Sequence, residues 1–239
     1  MKFNRQRFLK LLTLGGLASV AAGRPASADQ APRGATVRWA RLKFTGDSGE
    51  VKNWGTYPER DFRLIRFIRS KTSLDLEEGF FIADVGKLDE MVRYPFLFMH
   101  SKTPPTFSHA ERANIREYLL RGGFIFADDC IGPINKKDAF FQRVAAELPK
   151  IMPEAKFERL KDDHPIFHCF FHLNNGLPYI QGIPHGAYGL THNGRLLVLL
   201  SATDLQWAWA ERNDYATTKV DQAFQMGANI YIHAMTQAG

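Results

Sequence analysis

Three groups of residues in this chain have the types and spacing to do chemistry. Asp128-Asp129-Cys130 closes an apolar run, so two carboxylates and a thiol arrive together at one point. Neighbouring carboxylates can bind a metal, hold a sugar hydroxyl, or shift each other's pKa for acid–base work. Asp128 and Asp129 are therefore catalytic candidates. The segment from Asp162 to His172 places His164, His168 and His172 four residues apart. On a helix they would line one face, where imidazoles one turn apart can share a Zn or Fe ion with a nearby carboxylate. His164 precedes Pro165, which pushes it out of helical geometry and leaves His168 and His172 as the metal pair. The third group is dispersed: Asp47, His100, Asp204 and Trp207 stand at or just beyond predicted strand ends and are candidates for ligand binding.

Each group also has a structural explanation. Asp128 or Asp129 can cap the next turn or pair with Lys136, and the histidines can bond loop backbone while Phe167, Phe170 and Phe171 fill the core. A nucleophilic role for Cys130 is disfavoured. A nucleophile elbow needs small residues two before and two after; Gly132 fits but Asp128 does not, and adjacent carboxylates suppress the thiolate. Trp207-Ala208-Trp209 offers aromatic surface suited to a sugar face, with core packing the alternative for at least one ring. Phosphate loops, G-x-G-x-x-G and H-E-x-x-H motifs are missing from the sequence, so nucleotide cofactors and zincin-type proteolysis lack support. A divalent metal such as Zn or Fe is the cofactor these residues would suit.

The elements that must carry these residues can be read from periodicity. Val37 to Phe44 reads as a strand, and a helix begins at Tyr57-Pro58 with Phe62, Leu64, Ile65, Phe67 and Ile68 on a broad apolar face. Phe80 to Val85 and Pro95 to His100 read as short strands around a brief helix over Lys87 to Arg93. Ser108-His109-Ala110-Glu111 is a capping box opening a helix to Arg121, stopped by Gly122-Gly123. Phe124 to Ala127 is a continuous apolar strand, as expected when helices cover both its faces. A helix over Lys137 to Leu148, strands over Lys156 to Leu160 and Arg195 to Ser201, and a helix over Val220 to Met235 complete the reading. Strands alternating with helices predict an α/β domain with a mainly parallel, doubly wound sheet, whose ligands bind beyond the carboxyl ends of the strands.

The chain opens with Lys2, Arg5, Arg7 and Lys10, then an apolar run too short for the roughly 20 residues that span a bilayer, then Ala26-Ser27-Ala28. This predicts a cleaved signal peptide over residues 1–28 and one domain over 29–239, periplasmic or otherwise exported and without stable membrane insertion. Arg5-Gln6-Arg7-Phe8-Leu9-Lys10 resembles the twin-arginine export motif, with Gln6 at the second arginine. Removing Lys2, Arg5, Arg7, Lys10 and Arg24 lowers the formal charge from +6 to +1, which argues against a nucleic-acid partner. The two cysteines, Cys130 and Cys169, permit one disulfide or two lone thiols.

Arg38-Trp39-Ala40-Arg41-Leu42-Lys43-Phe44, Tyr94 to His100, Gly122 to Asp129 and Asp163-His164-Pro165-Ile166-Phe167 together resemble the DUF4159 family. The resemblance implies a class I glutamine amidotransferase-like fold, close to the trehalose-utilisation (ThuA-like) proteins, a flavodoxin-like three-layer arrangement. It carries over Asp128, Asp129 and His164 as motif positions and supplies no reaction. Three functions follow as expectations: binding of a small polar, carbohydrate-like ligand at the carboxyl edge of the sheet; metal-dependent hydrolysis at a His/Asp site; and protein interaction in the envelope.

Overall fold

Strand β6 (Phe124–Asp129) shows how the sequence builds this fold, because all six of its residues are buried and its side chains alternate between two cores. Phe124 and Phe126 enter one apolar cluster, and Ile125 and Ala127 the other. Only a strand covered on both faces needs such a sequence. The computed structural model describes residues 36–46, 53–131, 138–210 and 215–237. The predicted signal segment and Asp47 lie outside them.

In chain order the elements are β1 (Val37–Lys43), β2 (Thr45–Gly46), α1 (Pro58–Lys71), β3 (Leu76–Asp84), α2 (Leu88–Met91), β4 (Phe96–Ser101), β5 (Pro105–Thr106) and α3 (His109–Leu120). After β6 come α4 (Ala139–Ile151), β7 (Lys156–Arg159), β8 (Tyr188–His192), β9 (Arg195–Ser201), α5 (Leu205–Ala208) and α6 (Thr217–Thr236). Seven strands form one sheet in the order β3-β1-β4-β6-β9-β8-β7, while β2 and β5 make a separate two-stranded ribbon. The first five are mutually parallel, and β8 and β7 extend the sheet in antiparallel pairing. The chain leaves β1 toward β3 and then returns to place β4 on the other side of β1. The carboxyl ends of β1 and β4 therefore diverge at a topological switch point, where open α/β sheets form a crevice.

Helices α1 and α6 cover one face; α2, α3 and α4 cover the other. On the first face Trp39 packs against Phe96, Phe98, Trp209 and Tyr231 with ring centroids 4.5–5.9 Å apart. Each such buried aromatic contributes about 1.5–3 kcal/mol by leaving water. The capping box forms as read: Ser108 Oγ accepts from the Glu111 N–H at 3.2 Å and the Ser108 N–H donates to Glu111 Oε2 at 2.7 Å.

The structure corrects the sequence reading in four places. Strand β3 starts at Leu76 rather than Phe80, because it is an edge strand whose Glu77 and Glu78 pair with Arg38 and Arg66 instead of filling a core. Strand β8 was not anticipated; it returns into β9 through Asn193-Gly194, both at positive φ, a two-residue hairpin turn. Helix α4 runs on to Ile151, with Pro149 accommodated inside it. The histidine segment is not an α-helix. Pro165–Phe167 makes a single 3-10 turn and irregular chain follows.

Candidate functional site

Strand alternation carries a row of polar residues across the carboxyl edge. Arg41, His100, Asp128 and Ser201 each stand two residues after a side chain of the first core, namely Trp39, Phe98, Phe126 and Leu199, so they share the face covered by α1 and α6. His100 is opposite Asp128 in register, and Asp128 is opposite Ser201. All four are buried. Asp129, one residue on, faces the other layer, where its Oδ2 accepts the Phe141 N–H at 2.9 Å and caps the first turn of α4.

Two short segments close over this row. The first is the start of α1, whose N-cap Tyr57 is left-handed at φ 56°. There Asp61 takes a two-pronged ion pair from Arg41, with Nε to Oδ2 at 2.7 Å and Nη2 to Oδ1 at 2.9 Å, both side chains nearly inaccessible. The second is α5, whose N-cap Asp204 is also left-handed, at φ 52°. Gln206 on α5 ties the two together: its side-chain amide donates to Asp61 Oδ1 at 2.9 Å and its N–H to Asp128 Oδ2 at 3.3 Å. Asp204 Oδ1 lies 3.4 Å from His100 Nε2, and its Oδ2 accepts from Gln181 Nε2 at 2.7 Å. Gln181 is held in turn by the Tyr215 hydroxyl, 2.9 Å from its Oε1. Gly182, next in the chain, approaches the segment after β9 closely: a Cβ there would lie 2.7 Å from the Ala202 carbonyl oxygen.

The electrostatics of this pocket of side chains follow from burial. Loss of water pushes the Asp128 carboxyl well above the carboxylate range, and Asp204 beside it adds to the rise. Burial also raises Asp129 to about 8, against the stabilising Phe141 N–H. It holds His100 below the ordinary imidazole value although Asp204 pulls the other way, and it pushes the Cys130 thiol up. Arg60 sits beside this group. Its guanidinium carbon is 3.9 Å from the Tyr57 ring centroid and 4.5 Å from that of Trp207. The residue is 5% exposed, yet Nε and Nη1 have no hydrogen-bond partner among the described residues, Glu59 Oε1 being 3.9 Å from Nε. His100 Nδ1, Asp128 Oδ1 and Gln206 Oε1 are likewise buried without a partner there.

The candidates from sequence thus separate. His100, Asp128 and Asp204 converge, and Trp207 joins them by stacking on Arg60. Asp129 stands on the opposite face of the same strand. His164 caps the Pro165–Phe167 turn, its Nδ1 accepting the Ile166 N–H at 3.2 Å, and its ring is 5.9 Å from that of His233 late in α6. That end of α6 lies by the start of β1, where Tyr231 donates to the Arg38 carbonyl, so His164 is at the opposite end of the sheet from Asp128. The rings of His168 and His172 are 5.9 Å apart, but His168 Nε2 is engaged with the Asp162 carbonyl at 2.8 Å. No acid or cysteine joins them in a three-membered ligand cluster among the described residues. Both cysteines are free.

Arg41, Arg60, Asp61, Gln181 and Gln206 were not anticipated. Arg41 had a visible signal, being a cation two residues after Trp39 on the core face of a buried strand. Gln181 and Gln206 had none, because their partners are distant in sequence.

No curated protein matches the chain. A model described as a domain of unknown function, DUF4159, matches residues 38–235, which run from β1 almost to the end of α6. The chain belongs to the DUF4159 family.

Proposed function

We propose that this is an exported domain that binds a small polar ligand bearing negative charge, a sugar acid or sugar phosphate, at the carboxyl edge of its sheet. The observation that carries the reading is the concentration of unsatisfied buried atoms there. Five buried side-chain nitrogens and oxygens of Arg60, His100, Asp128 and Gln206 have no hydrogen-bond partner among the described residues. Folded proteins seldom leave such atoms unpaired, and a ligand offering both donors and acceptors answers all of them. A buried guanidinium calls for an anion. Trp207, partly exposed over Arg60, offers a flat apolar surface to a sugar ring, and exposed Lys102 adds positive charge at the rim.

The order of the five parallel strands supports the finer reading of the fold as class I glutamine amidotransferase-like, since a sheet that reverses after its first crossover binds ligands at that reversal. The basic-then-apolar opening of the chain supports export.

The test is a melting-temperature series with galacturonate, glucose 6-phosphate and glucose on the wild type and on Arg60→Met. A bound ligand at a hundred times its Kd stabilises by about 2.7 kcal/mol. At least one of the two anions should raise the melting temperature of the wild type, glucose should not, and Arg60→Met should lose the response. If neither anion acts, or if the shift survives in Arg60→Met, the reading fails.

A further inference from the structure

Separate from the anion reading, the cluster of His100, Cys130 and Asp204 has the composition and spacing of a metal site. One imidazole nitrogen, the thiol sulfur and one carboxylate oxygen lie within 4.8 Å of one another, all three residues buried. The 3.4 Å between His100 Nε2 and Asp204 Oδ1 is long for a charge-assisted hydrogen bond, which settles at about 2.7–2.9 Å. It is close to the edge of a tetrahedron whose metal–nitrogen and metal–oxygen bonds are about 2.0–2.1 Å. The outer partners of the carboxylate are present as well. Asp204 Oδ2 is oriented by Gln181 Nε2, and Gln181 by Tyr215, as ligating carboxylates usually are. His100 Nδ1 is a buried nitrogen still without a partner among the described residues.

We infer that His100, Cys130 and Asp204 form a three-ligand site for a borderline-soft divalent ion, zinc first, with a fourth position left for water or ligand. A nitrogen, sulfur and carboxylate set selects Zn²⁺ or Co²⁺ over Mg²⁺ and Ca²⁺, which prefer oxygen ligands throughout. On binding, the Cys130 thiol gives its proton to solvent and its sulfur bonds the metal, so uptake releases one proton and strengthens as pH rises. This site differs from the His168–His172 pair expected from sequence. The ligands come from β4, from the residue just after β6 and from the N-cap of α5, not from one helix.

The experiment is titration of the chelator-treated full chain with Co²⁺. One equivalent should bind and produce the thiolate-to-cobalt charge-transfer band together with the intense visible bands of a four-coordinate site. Both signals should vanish in Cys130→Ser and persist in Cys169→Ser. Gln181→Ala should weaken affinity by about 10–100-fold without removing them, the effect expected of an outer-shell partner. Zn²⁺ should raise the melting temperature of the wild type and not that of Cys130→Ser. Circular dichroism of Cys130→Ser separates loss of the site from loss of the fold; if that variant is unfolded, His100→Gln takes its place. Sub-stoichiometric binding, charge-transfer bands that survive in Cys130→Ser, or bands lost in Cys169→Ser would each overturn the assignment.

Discussion

Replacing Asp61 by alanine would leave the Arg41 guanidinium buried at 1% exposure with the Trp54 carbonyl, 2.8 Å from Nη1, as its remaining described acceptor. Two of its three hydrogen bonds to the described residues, and the carboxylate paired with it, would be gone. Removing one partner of a buried ion pair costs about 3–5 kcal/mol, because an uncompensated charge stays in low dielectric. The loss should reach the upper half of that range, since Asp61 Oδ1 also accepts from Gln206, which anchors α5 over Asp128. For a domain of this size the corresponding fall in melting temperature is about 8–20 °C. Reversible urea unfolding gives the free energy directly. The double variant Arg41→Met/Asp61→Leu is the control: with both charges replaced by apolar groups it should recover most of the loss, as buried pairs exchanged for hydrophobic residues usually do. A loss below about 1 kcal/mol for Asp61→Ala, the value of an exposed pair, would refute the reasoning.

Other outcomes follow from the same structure. His233 has a native pKa held to about 4 by burial, with His164 adding to the drop, against an ordinary 6.5, so the unfolded chain takes up its proton first as pH falls. Wild-type stability minus that of His233→Leu should decline from about pH 6.5 to pH 4, by up to about 3 kcal/mol at 1.36 kcal/mol per pH step; the raised pKa of Asp129 adds stability over the same fall in pH in both proteins and cancels in the difference. In Gly123→Ala the new methyl would meet the buried Tyr118 ring at 2.3–2.5 Å, which should cost about 1–3 kcal/mol by urea unfolding. Ser108→Ala removes one half of the capping box of α3 and should lower stability by about 1 kcal/mol, measured in the same way.

Much of the fold was legible because its main elements obey local rules. The apolar run of β6, the capping box of α3 and the proline at the start of α1 each specify an element without help from the rest of the chain. The edge strand β3 and the inner strand β8 were less legible, because they are stabilised by ion pairs and hairpin pairing rather than by continuous apolar sequence. The alternation of strands and helices pointed to the carboxyl edge of the sheet, and His100, Asp128, Asp204 and Trp207 do lie together there. What joins them was hidden. His100 meets Asp204 across 104 residues and Asp128 meets Gln206 across 78, and no local pattern encodes contacts of that span. The histidine segment shows the opposite failure, a regular spacing with no helix under it: Pro165 confines the turn to three residues, and Phe167 and Ile166 anchor it in the core. Asp204 was visible, but not that it takes the left-handed backbone that turns the chain from β9 into α5. Asp tolerates that conformation better than most residues, so its presence raised no alarm.

The binding role of the carboxyl edge can be tested most directly by soaking a crystal of the protein in selenate, whose selenium can be located by anomalous scattering. A selenium peak is expected with its oxygens within hydrogen-bond reach of Arg60 Nε and Nη1, beside Trp207. Selenate found only on exposed cations such as Lys102, with the Arg60 guanidinium still without a partner, would contradict it.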